Sequence, residues 1–371
     1  MVSNSNRVIL HVDMDSFYAS CELARTPEFK DIPFIVGADP KEGQGRGVVL
    51  ACNYLARKLG VRSGLPISRA WELCPEGKYV YPDHRLYGEV SSRVMSIVRN
   101  FSSKVEQVSI DEAYLDVTDQ VEREVSTGAD RKDVIVELVN SIKAKVKQAE
   151  KITCSVGIAN SKIVAKIATD MNKPDGITLV ETSDVIAFLA PLPVEKIPGV
   201  GKVTQKMLLD RFNVTKIGDL EKIPIDGLRD KLGRSAVWLK NVAQGIDDGE
   251  VISYWEPVSQ SSETTFDEDE EDFAVVRKVM IDVAEEVHSR TIQDGYLFRN
   301  VGIKIRFSGF ETHTRSRMLQ AQSESLEVVN RECSKLLSEF QGSGKKVRLI
   351  GVRLSELEKK SKDQMTLQEW T

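Results

Sequence analysis

The side chains best suited to chemistry are three carboxylates in two separate stretches. Asp111 and Glu112 are adjacent within Ser109-Ile110-Asp111-Glu112-Ala113-Tyr114-Leu115-Asp116. Before them Val105, Val108 and Ile110 read as a strand. After them Ala113, Leu115 and Val117 alternate with Tyr114 and Asp116, which is a strand with one buried face. The acidic pair therefore sits at a hairpin tip, where like charges repel unless a cation lies between them or water surrounds them. Mg²⁺ suits such a place, because it prefers carboxylate oxygens shared with phosphate and water. Asp13 ends an apolar strand over 8–12 and precedes a helix starting near Phe17. If the two strands are neighbours, Asp13 and the tip converge, as a two-metal phosphoryl or nucleotidyl transfer site requires. Taken alone, the hairpin reads better as a solvated turn with a capping aspartate, and it is Asp13 at a strand end that turns the reading toward a metal site.

The elements that must position these residues belong to a chain of 371 residues, enough for two to four domains. No secretory leader and no apolar run of membrane-spanning length is present in the sequence. Cys21, Cys52, Cys74, Cys154 and Cys333 are odd in number and scattered, and the four histidines are equally dispersed. Reduced thiols in the cytoplasm are expected. The net charge of −5 argues against a general polycation, but its distribution is uneven. Residues 263–272 are strongly acidic, whereas Arg299, Lys304, Arg306, Arg315 and Arg317 cluster against Glu311 alone. That basic stretch could meet a phosphate backbone through one strand face.

In chain order, strands are expected at 8–13, 32–36 and 47–51, and helices at 17–24, 53–59, 67–74 and 86–101. The hairpin follows, then a helix around 135–146 and a strand at 152–158. With the excursion over 25–83 set aside, the order is β-α-β-β-α-β, the split βαβ or ferredoxin-like arrangement, which lays the first strand beside the hairpin. Asn160 or Ser161 caps the next helix, on which Lys162 and Lys166 share a face. Glu195-Lys196-Ile197-Pro198-Gly199-Val200-Gly201-Lys202 reads as a helical hairpin whose Gly199 and Gly201 expose backbone N–H groups to a phosphate at Lys202. Beyond a linker near 245–249, elements at 259–266, 273–291, 301–307, 315–320, 326–340 and 347–354 make a second β-α-β-β-α-β unit. The run 267–272 is expected as a solvent loop or helix entry.

The segments Asp13-Met14-Asp15-Ser16-Phe17-Tyr18-Ala19-Ser20, Asn53-Tyr54-Leu55-Ala56-Arg57-Lys58-Leu59-Gly60-Val61 and the acidic hairpin resemble the Y-family, or lesion-bypass, DNA polymerases, closest to the archaeal and bacterial DinB (DNA polymerase IV) branch. Ser155-Val156-Gly157-Ile158-Ala159-Asn160-Ser161-Lys162 and Ile197-Pro198-Gly199-Val200-Gly201 fit as well, and the match spans nearly the whole chain. The resemblance implies an α+β right-hand polymerase: palm at 1–24 and 84–172, fingers at 25–83, thumb at 173–246, linker at 247–257, little finger at 258–355 and a tail at 356–371. It implies two Mg²⁺ ions held by Asp13, Asp111 and Glu112, with the Met14 carbonyl as a further ligand. Tyr18 is then the steric gate against ribonucleotides, and Phe17, Tyr18, Tyr54, Arg57 and Lys162 hold the triphosphate. Asp15 is assigned to the N-cap of the Phe17 helix.

Gly199, Gly201, Lys202, Arg299, Lys304, Arg306, Arg315 and Arg317 would touch primer–template DNA, and Gln364, Leu367 and Trp370 resemble a sliding-clamp-binding peptide. A monomer acting on dNTPs, without proofreading and away from membranes, is expected. Many relatives carry a small residue and then Ser or Thr where this chain has Leu50 and Ala51, so their lesion preference is not carried over. Two other readings use the same residues: a two-metal nucleotidyl cyclase, which would not need the thumb hairpin or little finger, and a non-enzymatic scaffold on DNA and clamp, against which the intact carboxylates argue.

Overall fold

The computed structural model describes residues 6–360, so Gln364, Leu367 and Trp370 lie outside the described residues. The chain divides into two compact units, the first ending at Tyr254 and the second beginning at Trp255.

The first unit opens with β1 (Ile9–Met14) and α1 (Phe17–Arg25). A small three-stranded module follows, built from β2 (Phe34–Gly37), β3 (Val49–Cys52) and β4 (Lys78–Val80), with α2 (Tyr54–Lys58) and α3 (Ile67–Leu73) between the last two strands. The chain then runs through α4 (His84–Arg99), β5 (Lys104–Gln107), β6 (Glu112–Asp116), α5 (Thr118–Ser126), α6 (Arg131–Glu150), β7 (Cys154–Ala159), α7 (Lys162–Thr169) and β8 (Ile177–Leu179). Strand order in this five-stranded sheet is β5-β6-β1-β7-β8. β1 is thus central and antiparallel to both neighbours, with Asp13 opposite Glu112 on one side and Ser155 on the other. Four of the strands make the expected ferredoxin-like set, and β8 adds a fifth, parallel to β7.

Alternation along β1 sorts its side chains between two cores. Val8, Leu10, Val12 and Met14 join α4 and α6 in one core, while Ile9 packs with α7 and the helices beyond it in another. His11 and Asp13, in phase with Ile9, share the α7 side of the sheet. Close approach of α7 depends on Gly157, where an added Cβ would lie 2.0 Å from the Ala165 carbonyl oxygen. Four further helices complete the unit: α8 (Val185–Leu189), α9 (Lys202–Phe212), α10 (Ile225–Leu232) and α11 (Ser235–Ala243).

Residues expected in the linker are partly strapped to this unit. The Asp247 carboxylate accepts from Ile163 N at 3.1 Å and Ile252 N donates to Glu106 at 3.0 Å. Ser161 occupies the N-cap of α7 without a side-chain bond, so the strap serves a helix start left open by its own sequence.

The second unit contains β9 (Ser259–Glu270), α12 (Phe273–Gln293), β10 (Tyr296–Phe307), β11 (Thr312–Ser323), α13 (Leu326–Ser338), β12 (Val347–Ser355) and the two-residue β13 (Glu358–Lys359). The order of its four long strands is β11-β10-β12-β9. Both helices cover one face, burying Val301, Ile303, Ile305 and Phe307 of β10.

Three expectations change. The acidic run extends edge strand β9 as far as Glu270 rather than forming a loop, and Asp272 caps α12 by accepting from Ala274 N. Its charge is tolerated because an edge strand needs only one partner and Arg348 and Lys346 lie beside Asp269 and Glu271. Val108 and Ile110 belong to the hairpin turn, not the strand, and Val108 is exposed. Before Pro198 stands a single 3₁₀ turn, Val194–Lys196, where a helix was expected.

Candidate active site

Asp13 and Glu112 meet because β1 and β6 pair in register at those residues. The turn between β5 and β6 is cinched by Ser109, whose Oγ accepts from Asp111 N at 3.2 Å and Glu112 N at 3.1 Å. The same hydroxyl donates to Asp111 Oδ1 at 2.5 Å, and Met14 N donates to the Asp111 carbonyl at 3.0 Å. Side chain and backbone together therefore hold Asp111 against the end of β1.

Asp13 and Glu112 each have a cation beside them. Lys173 Nζ lies 2.8 Å from Asp13 Oδ1, and Lys166 Nζ lies 2.6 Å from Glu112 Oε2. Burial pushes the Asp13 carboxyl above its usual range; Lys173 draws it partly back and Asp111 adds to the upward push. Glu112 moves the other way, to about 2, through the imidazole of His11 and the Lys166 ammonium, against the cost of burial. Burial disfavours the charge on Lys173, but Asp13 and Asp170 outweigh it and leave its pKa above the usual lysine value.

Asp13, Met14, Phe17, Tyr18, Tyr54, Arg57, Asp111 and Lys173 line one cleft of about 350 Å³. Arg57 stands 4.8 Å from the centre of the Tyr54 ring, one turn away on α2. That helix is anchored by Asn53, which accepts from Ala56 N and Phe34 N and donates to the Ile32 carbonyl. Three bonds from one buried side chain make its replacement by Ala cost about 1–3 kcal/mol. Phe17 is buried, and Tyr18 stacks on Tyr87 at 4.2 Å between ring centres. Tyr87 is itself fixed by donating to the buried Glu22 at 2.7 Å. The Tyr18 ring is therefore braced from behind where it lines the cleft.

Among the described residues, one group of side chains has metal-ligating atoms within 4.8 Å of one another, and it comprises His11, Asp13 and Glu112. The carboxylate oxygens of Asp13 and Glu112 are hard donors that suit Mg²⁺, whereas Asp111 lies outside that group and its Oδ1 accepts from Ser109. Two lysines already drawn onto these acids mark a place that attracts positive charge.

Lys162 is not in the cleft. Its ammonium pairs with Glu106 at 2.9 Å, because α7 aims successive turns at different strands and the first turn reaches β5. The second cation of the cleft, beside Arg57, is Lys173, which was not singled out from the sequence. Asp15 does not cap α1 either: its buried carboxylate accepts from Thr153 Oγ1, Ser155 Oγ and Asp175 N at 2.7, 2.8 and 2.8 Å. Ser16 takes the N-cap position with left-handed backbone, φ 46°. Asp15 is a latch between β1, β7 and the turn carrying Lys173. His11 was also missed, although its i, i+2 relation to Asp13 on a strand places both on one face.

The expected DNA contacts fall in several places. Gly199 adopts φ +93°, Gly201 caps α9 through backbone alone, and Lys202 and Val203 are exposed at its start. The five basic residues of the second unit do not share a face. Arg315 and Arg317 pair across from Ile303 and Val301, on the helix side, and meet Glu339 and Glu332 at 3.0 and 3.7 Å. Lys304 and Arg306 face the open side of the sheet, and Arg299 is exposed at a register irregularity before Asn300. Arg353, opposite Gly302, joins the open face and had not been singled out. Gly302 and Gly351 leave a hollow of about 390 Å³ there, rimmed by Ser261, Ser316, Lys304 and Arg353.

Comparison with known proteins accords with this geometry. The impB/mucB/samB family model matches residues 12–170, its C-terminal domain model residues 257–367, and the IMS family HHH motif residues 182–214. DNA polymerase IV of Methanoculleus marisnigri is 45% identical over 96% of this chain and 96% of its own length. DNA polymerase IV 2 of Methanosarcina mazei is 40% identical over 98% and 95%. A solved Y-family chimera, Dbh-Dpo4(243-245)-Dbh, superposes with a TM-score of 0.84 at 28% identity, covering 94% of this chain and 99% of that one. An insertion ternary complex of Dbh DNA polymerase gives 0.65 at the same identity, over 94% and 98%. The chain belongs to the impB/mucB/samB family, the Y-family DNA polymerases, in the DinB or DNA polymerase IV branch.

Proposed function

We propose that this chain is a template-directed DNA polymerase that transfers a nucleotidyl group from a dNTP to a primer 3′-hydroxyl and works opposite damaged bases without proofreading. The observation that carries the chemistry is the in-register meeting of Asp13 and Glu112 on a central strand pair, beside a cleft lined with Asp111, Arg57 and Lys173. Asp13, Asp111, Glu112 and the Met14 carbonyl would hold two Mg²⁺ ions. When bound, these supply a lowered pKa for the primer hydroxyl and neutralisation of the departing pyrophosphate.

The protein's own groups do the rest. Arg57 offers a planar fork and Lys173 a point charge to the triphosphate, and the Tyr54 hydroxyl, which donates to Asp15 Oδ1 at 3.4 Å, lies at the same wall. Tyr18, braced on Tyr87, leaves room beneath a deoxyribose but not beside a 2′-hydroxyl. Leu50 and Ala51 line the cleft where the nascent base pair would sit. The five-stranded sheet serves as palm, the β2–β4 module as fingers, α8 to α11 as thumb and the second unit as little finger. Lys304, Arg306 and Arg353 on its open face would meet DNA phosphates, and the Gly201–Lys202 helix start another. Gln364, Leu367 and Trp370 are assigned to a sliding clamp on sequence alone, as are the monomeric state and a cytoplasmic setting.

The test is extension of a primed template by purified protein with Mg²⁺ and dNTPs, on undamaged and abasic templates in parallel. Template-dependent extension that Asp111→Ala abolishes supports the reading; none on either template overturns it.

A further inference from the structure

Beneath the carboxylates lies a group of side chains for which the chemistry above has no use. His11 is 1% exposed, and its Nε2 has no partner at ordinary hydrogen-bond distance among the described residues. The nearest acceptor is Glu112 Oε2 at 3.4 Å. On the opposite side of the ring, Nδ1 lies 2.9 Å from Thr169 Oγ1. That hydroxyl also lies near the Ala165 and His11 carbonyls, at 2.9 and 3.2 Å, both of which helix and sheet bonding already serve. A carboxylate oxygen can only accept, so the ring hydrogen belongs on Nε2, which faces Glu112, and the Thr169 hydroxyl then turns its proton to Nδ1.

Lys166, one turn before Thr169 on α7, reaches the same carboxylate oxygen, Oε2, at 2.6 Å. Both contacts thus fall on one oxygen of Glu112. A tilted ring contact with Tyr114, 4.7 Å between centres, and the close seating of α7 over Gly157 fix His11 and Lys166 relative to the strand.

We propose that His11 and Lys166 are positioning residues that grip Glu112 by Oε2 and so present its other oxygen, Oε1, to the metal site. This rests on the assignment of Glu112 as a metal ligand. A carboxylate free to rotate can bind a cation through either oxygen or both, and must be ordered when the cation arrives. One already gripped from below offers a single preset oxygen, as outer-shell partners do for metal ligands elsewhere. Lys166 adds a charge that offsets repulsion between Glu112 and Asp13 without entering the cleft, whereas Lys173 sits on Asp13 within it.

The experiment uses the full chain with a primer–template ending in a dideoxynucleotide, an incoming dNTP and Mn²⁺ read by electron paramagnetic resonance. His11→Phe keeps a buried ring but removes the donor; His11→Gln restores a donor; Lys166→Met acts from a partly exposed helix face where folding is least at risk. Mn²⁺ affinity should fall about tenfold in His11→Phe and Lys166→Met and return to within about twofold in His11→Gln. In primer extension the Mg²⁺ concentration for half-maximal rate should rise by a similar factor, while KM for dNTP at saturating Mg²⁺ stays put. Unchanged Mn²⁺ affinity and Mg²⁺ dependence in Lys166→Met and in a folded His11→Phe would overturn the proposal. A wild-type protein that neither binds Mn²⁺ nor extends a primer would instead overturn the polymerase assignment beneath it.

Discussion

The two sheets of this molecule share one element order and have opposite designs. In the first unit the leading strand is central, between β6 and β7, and is buried almost throughout. In the second the leading strand, β9, is an edge and is largely exposed. A central strand with an aspartate next to its last residue delivers a charge where a neighbouring strand can add its own, and it can be braced from both faces. An open sheet face with glycines at its middle delivers no reactive group but leaves a shallow hollow that a large partner can enter. In the function proposed above, chemistry falls to the sheet whose centre carries charge, and contact to the sheet whose centre is bare.

The largest expected effect breaks the first design. Asp111→Ala should lower primer extension by on the order of 10³-fold or more, because a group lost from a two-metal site removes charge stabilisation that nothing else supplies. DNA affinity in a filter-binding assay should stay within about twofold. Tyr18→Ala comes next: discrimination against ribonucleotides, measured as a ratio of kcat/KM values, should fall on the order of 10²-fold, since a steric wall is simply absent.

A pair of lysines then sharpens what counts as part of the site. Lys173→Ala should raise KM for dNTP by about tenfold through loss of one charged contact. Lys162→Ala should leave KM unchanged and lower thermal stability, because Glu106, which is buried, would keep only the Ile252 N–H. Equal kinetic losses in both would contradict the placement of Lys162 outside the cleft.

The same logic divides the basic residues of the second unit. Lys304→Ala with Arg353→Ala should weaken DNA binding by about tenfold and flatten its salt dependence by about two charges. Arg315→Ala with Arg317→Ala should leave affinity alone and cost about 1 kcal/mol of stability, since those side chains brace β11 against α13. If the second pair weakens binding as much as the first, the distinction between the two faces fails.

Much of this was legible in the residues themselves. Asp13 closes an apolar run and Glu112 opens an alternating one, and pairing order follows from βαββαβ succession, so the meeting of Asp13 with Glu112 was derivable. What escaped has physical causes. β4 and β8 are three residues long, too short to show alternation. Arg315 and Arg317 read as a patch because clustering in sequence ignores which face each residue takes; in a hairpin, register decides that, and register depends on where the turn closes. Asp15 read as a cap because capping is local, whereas its partners Thr153, Ser155 and Asp175 are about 140 residues away or more. Lys173 lay hidden in a turn whose position in space only the sheet determines.

Crystals of the full chain with dideoxy-terminated primer–template, incoming dNTP and Mn²⁺ offer the most direct measurement, through anomalous scattering at the manganese edge. The account predicts two peaks about 3.5–4 Å apart among Asp13, Asp111 and Glu112, with Lys173 moved from Asp13 toward the triphosphate. Manganese bound elsewhere, with Lys173 still on Asp13, would contradict it.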